Sequence, residues 1–372
     1  MQIIHFSDTH LGFSDLDALS RSGINLREED FYKAFKDIID AVLEKKPDFV
    51  IHTGDLFHRP SPTNRAISVA LEQFARLNSA KIPLILIAGN HETPKTKALS
   101  PILKIFENFE YISVAYSQKA QVFQFKDIDF FALPHINSEE KILQELERIE
   151  ELLDLNKKRV LMMHCSVGAH YLMQEFGEWV YPKSKEYLFG MFDYVALGHW
   201  HGFGSVGKFK NLYYSGSSER TSSSDRRDNK GYVIVNIGDN LSVKHCQLEL
   251  RPTFTVTINA DNMESELKAI KQESYKDALV EVVLSNLDIS KSIEIDNSHI
   301  ESFFKSAASV KIKREFLEQQ QKSIDGVESL TLEHFFYEHI KKECSNEEES
   351  KRLISRAKRL FSDIAELEND TE

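Results

Sequence analysis

The sequence predicts an α/β protein that carries a small α+β unit and a helical tail. Three observations predict it. Up to Gly198, short apolar runs alternate with segments of helical periodicity. Several of those runs end in aspartate, asparagine or histidine. After Pro252 the alternation restarts on a smaller scale, and the C-terminal stretch first loses and then regains apolar spacing.

The elements follow in order. Gln2–Ser7 reads as a short apolar strand. From Asp30 to Glu44, the residues Phe31, Ala34, Phe35, Ile38, Ile39 and Val42 recur at helical spacing. Phe49–Thr53 is a strand that ends at Gly54-Asp55. Ala66–Leu77 is a helix with Ile67, Ala70, Leu71 and Phe74 on one face. Leu84–Ala88 is a strand that ends at Gly89-Asn90-His91. Lys141–Leu155 is a helix, and Arg159–Met163 is a strand that ends at His164. Tyr194–Leu197 is a strand that ends at Gly198-His199. Leu212–Tyr214, Gly231–Ile237 and Leu241–Leu248 read as strands closing a first domain over 1–250.

Pro252 marks a boundary. Strand Phe254–Ile258, helix Asp261–Tyr275, strand Ala278–Leu284, helix Ser298–Phe304 and strand Ser309–Lys313 make an α+β unit over 251–315. The polar stretch around QQQKSIDG has too little apolar surface to offset the entropy of ordering, so 316–329 reads as a linker. In the tail, 330–372, Leu332, Phe335, Phe336 and Ile340 form one apolar stripe. Leu353, Ala357, Leu360, Phe361 and Ile364 form another, with Ser345 as an N-cap. Such stripes suit core packing, dimerisation or docking on a partner.

Composition sets limits. A chain of 372 residues predicts two or three domains. It has no apolar run of membrane-spanning length, and its N-terminus, MQIIHFSDTH, enters a strand directly, so neither a span nor a secretory signal is expected. Cys165, Cys246 and Cys344 are scattered without a CxxC pair, which fits a reducing cytoplasm. The net charge of −12 argues against coating nucleic acid by bulk charge. It does not exclude a nucleic-acid enzyme, because bound dications invert the local field.

The chemistry lies in seven metal-seeking residues in five motifs. They are Asp8 and His10 in SDTH, Asp55 in TGDLFH, Asn90 in AGNHE, His164 in MMHCS, and His199 and His201 in GHWH. Asp8 and His10 alternate along what reads as an extended segment, which predicts both side chains on one side. His199 and His201, either side of Trp200, invite the same prediction. Gly54 allows close backbone approach beside Asp55, whose carboxylate can bridge two ions. A mixed oxygen and nitrogen set without thiolate suits Mn, Fe, Zn or Mg. Two such cations clamp a phosphoryl group and activate water, so phosphoester hydrolysis is the leading reading. Each motif alone is weak; the ordered set at successive strand ends is specific.

These motifs resemble the calcineurin-like metallophosphoesterase superfamily, and within it the Mre-eleven/SbcD family of DNA repair nucleases. GDLFH followed by RPSPTNRA, the segment LREEDFYKAF, and YYSGSSERTS followed by KGYVIV carry the narrower match. The resemblance implies a four-layer α/β/β/α sandwich with a capping domain and a partner-binding tail. It implies two divalent ions, usually Mn²⁺. One would take Asp8, His10, Asp55 and His201, the other Asp55, Asn90, His164 and His199. His91 would protonate the leaving oxygen or stabilise the transition state, and His58 would hold DNA phosphates. It further implies 3′–5′ exonuclease and single-strand endonuclease activity, a homodimer, and a coiled-coil ATPase partner of the Rad-fifty/SbcC type. Glu92 departs from the aspartate common after GNH, and could hydrogen-bond a ligand histidine.

Other readings stay open. The same metals would serve a phosphoesterase acting on a small molecule or phosphoprotein, or a non-catalytic DNA-end scaffold. His5 and His52, inside apolar strands, read as satisfied core groups or supports for the ligands. His135 and His170 carry no assignment. Gly202–Lys208 nearly spells a phosphate-binding loop, but Phe209 replaces the Ser or Thr that would hold Mg, so it reads as a β-hairpin loop. Arg220, Arg226, Arg227 and Lys230 form either a phosphate-contacting cluster or a solvated loop.

Overall fold

The computed structural model describes residues 1–15, 18–20, 22–94, 100–168, 179–222, 225, 228–288, 291–292, 295–317 and 353. His170, Arg226, Arg227, the linker expected at 316–329 beyond its first two residues, and the tail expected at 330–372 apart from Leu353 lie outside the described residues. The chain divides into two compact units, Met1–Arg251 and Pro252–Glu372.

The first unit opens with β1 (Gln2–Phe6), α1 (Leu26–Lys45), β2 (Phe49–His52), α2 (Asn64–Ser79), β3 (Leu84–Ile87) and β4 (Ile112–Ala115). A second sheet is then built from β5 (Gln121–Gln124), β6 (Ile128–Leu133), β7 (Lys158–His164), β8 (Tyr194–Gly198), β9 (Gly204–Ser205) and β10 (Leu212–Tyr214), with α3 (Glu139–Glu151) between β6 and β7. The chain returns to the first sheet with β11 (Gly231–Ile237) and β12 (Leu241–Gln247). The strand orders are β12-β11-β1-β2-β3-β4 and β5-β6-β7-β8-β10-β9. β1, β2, β3 and β4 run parallel, as do β6, β7, β8 and β10.

Period-two alternation sorts each strand's side chains into layers. Ile4, Phe6, Val50 and Leu86 pack under α1 and α2 with Phe35, Ile38 and Phe74. Ile3, Ile51, Ile85, Phe130, Met162 and Ala196 fill the space between the sheets. Phe131, Leu161 and Val195 pack with Ile142, Leu146 and Phe189 beyond the second sheet. The result is a four-layer α/β/β/α sandwich. Each fully buried large apolar side chain contributes roughly 1.5–3 kcal/mol to holding it.

Some boundaries differ from expectation for identifiable reasons. α1 begins at Leu26 rather than Asp30, because the Asn25 side chain accepts from the N–H groups of Arg27 at 3.0 Å and Glu28 at 3.2 Å. β4, β5 and β6 have no counterpart in the sequence reading. β4 and β5 are four-residue edge strands. β6, IDFFAL, is buried along its whole length, and its four-residue apolar run after Asp129 is too short to show a period that distinguishes strand from buried helix. The hairpin reading of Gly202–Lys208 holds, since β9 pairs antiparallel with β10.

The second unit holds a parallel sheet in the order β13 (Thr253–Asn259), β14 (Leu279–Leu287), β15 (Ser309–Phe316). Short helices α4 (Met263–Lys268) and α5 (Asn297–Glu301) cover it through Leu267 and Ile300, with Phe304 from the turn that follows α5. The single helix expected over 261–275 is broken. Ala269 and Ile270 close tight i→i+3 bonds to Glu266 and Leu267, and the exposed Lys271–Glu273 segment offers no apolar stripe to continue it. Among the described residues, no helix is long and apolar enough to cross a membrane.

Candidate metal centre

The carboxyl ends of β1, β2 and β3 in one sheet meet those of β7 and β8 in the other. The chain turns sharply as it leaves each strand. Asp8 N–H donates to Gly54 O and His10 N–H to Asp55 O, both at 3.0 Å, which ties the first motif to the second. The His164 Nδ1 sits 2.7 Å from Thr53 O, linking the sheets. A side chain on Gly54 would strike the His164 ring and the Gly89 backbone, and one on Gly198 would strike Thr53 O. Bare backbone at these two positions lets the motifs close on one another.

Asp8, His10, Asp55 and His199 all have positive φ, at 51°, 41°, 56° and 93°. Such strain costs on the order of 1–3 kcal/mol per residue and persists where surrounding structure enforces it. The extended-strand prediction for Asp8 and His10 is therefore corrected: left-handed turns, not strand alternation, aim them. His199 and His201 meet different partners in the centre. The His199 ring lies 5.3 Å from that of His164, while the His201 ring lies 5.1 Å from that of His10.

All seven predicted residues converge. Asp55 Oδ2 lies 3.3 Å from His164 Nε2 and 4.0 Å from His10 Nε2. The Asn90 Oδ1 is 2.9 Å from His164 Nε2, and His10 Nε2 is 3.1 Å from His201 Nε2. Asp8 accepts from the His199 N–H at 3.1 Å, and also from the Ser7 hydroxyl. Ligand atoms of Asp8, His10 and His201 lie within 4.8 Å of one another, as do those of Asp8, Asp55 and His164. Carboxylates thus stand between two overlapping clusters.

The electrostatics suit cations. Burial alone would raise the Asp55 carboxyl, but the imidazoles of His164, His91 and His10 hold it well below the usual range. Burial would lower His164, yet the carboxylates of Asp55 and Asp8 push it up to about 10. A site that favours a proton this strongly on a buried imidazole carries surplus negative potential. Two carboxylates, an amide oxygen and four imidazoles are hard-to-borderline donors that fit divalent Mn, Fe, Zn or Mg.

His91 and His58 border these clusters. The His91 N–H donates to Asp55 Oδ1 at 3.0 Å, and its Nδ1 lies 2.7 Å from His58 O. That leaves Nε2 turned toward Asp55 Oδ2, at 3.9 Å, on a ring about one-third exposed (36%). The His58 ring stacks on His91 at 5.3 Å and meets Phe13 edge-on at 4.9 Å; burial and His91 lower it to about 4.

Several supports differ from the sequence reading or escape it. Glu92 bonds no ligand histidine. Its carboxylate accepts from three main-chain N–H groups, those of Asp55, Phe57 and Gly89, at 3.1, 2.9 and 2.8 Å. The Thr53 carbonyl that holds His164 is backbone, so no residue type signals it. His5 is a satisfied core group, bonded to the Tyr194 hydroxyl and Thr53 Oγ1, both at 2.9 Å. Lys230 is fully buried, so it is neither a solvated nor a phosphate-contacting loop residue. Arg220 is half-buried beside Glu219. His135 hangs from Ala88 O by its N–H and pairs with Asn137.

Comparison with known proteins agrees with this geometry. The profile of the family described as "Calcineurin-like phosphoesterase" matches residues 1–203. A DNA double-strand break repair protein Mre11 from Sulfurisphaera tokodaii is 27% identical over 369 residues, covering 95% of this chain and 91% of the relative. The protein of the same name from Thermoplasma acidophilum is 30% identical over 276 residues, covering 71% of this chain and 70% of the relative. That from Methanococcus maripaludis is 28% identical, covering 78% and 75%. The chain belongs to the calcineurin-like phosphoesterase family and, within it, to the Mre11 group, as an enzyme of the metal-dependent phosphodiesterase and nuclease class.

Proposed function

We propose that this protein is a manganese-dependent nuclease that processes DNA ends in double-strand break repair, with 3′–5′ exonuclease and single-strand endonuclease activity. It works as a homodimer with a coiled-coil ATPase of the Rad-fifty/SbcC type, docked through the C-terminal helices. The observation that carries the catalytic reading is Asp55, set between His10 and His164 with Asn90 and His91 alongside. The Mre11 relatives, whose names place them in DNA double-strand break repair, support DNA as substrate.

Asp8, His10, Asp55 and His201 would hold one ion, and Asp55, Asn90, His164 and His199 the other. When bound, such a pair clamps phosphoryl oxygens and makes a water nucleophilic near neutral pH. Asp55 lies beside both imidazole groups, as a bridging carboxylate must. A carbonyl only accepts, so His91 Nδ1 carries a proton and Nε2 is the atom left to face the leaving oxygen, to which it would give a proton from the imidazolium form. His58, which stacks on His91, would hold a DNA phosphate. The open face of His91 supports catalysis over a purely structural role for the metals.

The test is a Mn²⁺-dependent assay on blunt and hairpin DNA, with and without the co-expressed ATPase. Cleavage that requires Mn²⁺ and is lost in His91→Leu is expected. Hydrolysis of a short generic phosphodiester without cleavage of any DNA would overturn the DNA reading and favour a small-molecule or phosphoprotein phosphoesterase.

A further inference from the structure

Thr221, Asp225 and Lys230 lie 20 to 29 residues beyond His201 in sequence and beside it in space. We infer that Thr221, Asp225 and Lys230 act as positioning residues that fix the tautomer and orientation of His201, so that Nε2 is the atom it presents to a metal. The inference rests on the two-cation reading of the centre, and not on DNA as the substrate.

The hydrogen bonds have only one consistent direction. His201 Nδ1 lies 2.9 Å from Thr221 Oγ1, and Thr221 Oγ1 lies 2.9 Å from Asp225 Oδ2. Asp225 also takes the Thr221 N–H at 3.1 Å. An ionised carboxylate can only accept, and the threonine hydroxyl has one proton to give. That proton must go to Asp225, since otherwise two oxygens would face each other without a hydrogen between them. Thr221 Oγ1 therefore accepts from His201 Nδ1–H. With the proton on Nδ1, the lone pair is on Nε2, the atom that lies 3.1 Å from His10 Nε2 inside the centre.

Lys230 secures both ends of this relay. Its side chain is fully buried, and Nζ donates to His201 O at 2.7 Å. The same ammonium lies 3.7 Å from Asp225 Oδ2 and 3.4 Å from Asp228 Oδ2. A buried ammonium is tolerated only when paired and hydrogen-bonded. Here it pairs with Asp225 and Asp228, and with the Ser217 N–H, 3.1 Å from the same His201 carbonyl, it pins the backbone of the ligand. His164 has its Nδ1 held by a main-chain carbonyl, which no substitution can change. His201 depends on side chains, so its support can be tested.

The experiment uses the full chain, with wild type, Thr221→Val, Thr221→Ser and Asp225→Asn. Mn²⁺ binding is measured by calorimetry, and histidine tautomers by long-range ¹H–¹⁵N spectra of metal-free protein. His201→Asn identifies the His201 signals. Loss of a support beyond the ligand shell costs about 10–100-fold in metal affinity. Thr221→Val should weaken one of two Mn²⁺ ions by about that factor and spare the other, while Thr221→Ser restores it. In Asp225→Asn the amide oxygen can take the place of Oδ2, where both the N–H and the hydroxyl of Thr221 donate, so the His201 proton should stay on Nδ1. Wild-type affinity for both ions in Thr221→Val, failure of Thr221→Ser to restore binding, or a His201 proton already on Nε2 in the wild type would each overturn the inference. A wild type that binds no divalent cation would instead overturn the two-metal reading on which it stands. If Thr221→Val does not fold, the wild-type and Asp225→Asn spectra decide the matter.

Discussion

At the scale of single residues, the centre depends on side chains that hold other groups in place. Both oxygens of Glu92 are engaged: Oε2 accepts from Asp55 and Gly89, and Oε1 from Phe57. The carboxylate thus straps the Asp55 turn to the Gly89-Asn90 turn. Glu92→Gln keeps the shape but must turn an NH₂ toward at least one main-chain N–H. We expect a loss of about 1–3 kcal/mol in urea denaturation, together with weaker Mn²⁺ binding. An unchanged midpoint and unchanged binding would show that the strap is dispensable. His91→Leu should act differently, lowering phosphodiester hydrolysis by about 10²–10⁴-fold while two Mn²⁺ ions still bind in calorimetry. Loss of both ions in that variant would place His91 among the ligands instead. The seven convergent residues were legible because aspartate, asparagine and histidine directly after apolar runs have few structural reasons to be there. Their supports were not. Thr53 acts through its carbonyl, Glu92 through backbone donors, and the positive φ of Asp8, His10 and His199 leaves no trace in residue type.

At the scale of elements, helix signals work where one face is wet, and strand signals where an apolar run ends in a polar motif. α1 and α2 show their stripes because each is half exposed, and β1, β2, β3, β7 and β8 were each found to within a residue or so. β6 was not: β2, β3 and β8 are equally buried but end in aspartate, asparagine or histidine motifs, whereas β6 runs into Pro134 and carries Asp129 inside its apolar run. The division into two sheets was equally hidden, since parallel strands of either sheet read as the same apolar run. The start of α1 escaped as well. Asn25 caps it by accepting two N–H groups, and the turn that follows is charged but buried. Arg27 pairs with Asp30 at 2.7 Å and with Glu219 at 3.4 Å, and Asp30 is gripped by Arg251 at 2.9 Å. Four charged residues in LREED therefore look like a solvated loop in sequence, while three of them, Arg27, Glu28 and Asp30, are interior in space. Asn25→Ala should cost about 1 kcal/mol, read from the shift of the urea midpoint at constant slope. A shift of zero would mean that the Arg27 and Asp30 pairs hold the helix start without the cap.

At the scale of the whole molecule, the buried histidines predict how stability follows pH. Burial, together with the His52 neighbour, lowers His5 to about 3, and burial with the His164 neighbour lowers His52 to about 3. Unfolded histidine titrates near 6.5, so between about 3 and 6.5 the unfolded chain binds more protons at these positions than the folded one. Stability from these two groups is therefore fully present above pH 6.5 and is lost as pH falls toward 3, with a slope of up to about 1.4 kcal/mol per pH unit for each. His164 has the opposite sign. Burial opposes its proton, but Asp55 and Asp8 raise it to about 10, so its contribution is full below pH 6.5 and is lost as pH rises toward 10. Taken together, these three groups favour the cation-free fold most near pH 6.5 and less on both sides. Mn²⁺ removes only the alkaline loss, because a cation held by Asp55 and His164 takes the place of the proton. Urea midpoints from pH 5 to 8.5, under argon and with or without saturating Mn²⁺, test this directly. With the ion, the midpoint should stop falling above pH 6.5, while the acid limb keeps its slope until the carboxylates and imidazoles of the centre release the metal. His5→Asn should flatten the acid limb by about one proton and leave the alkaline limb unchanged. An alkaline limb that persists with Mn²⁺ bound would mean that His164 is not where the cation sits.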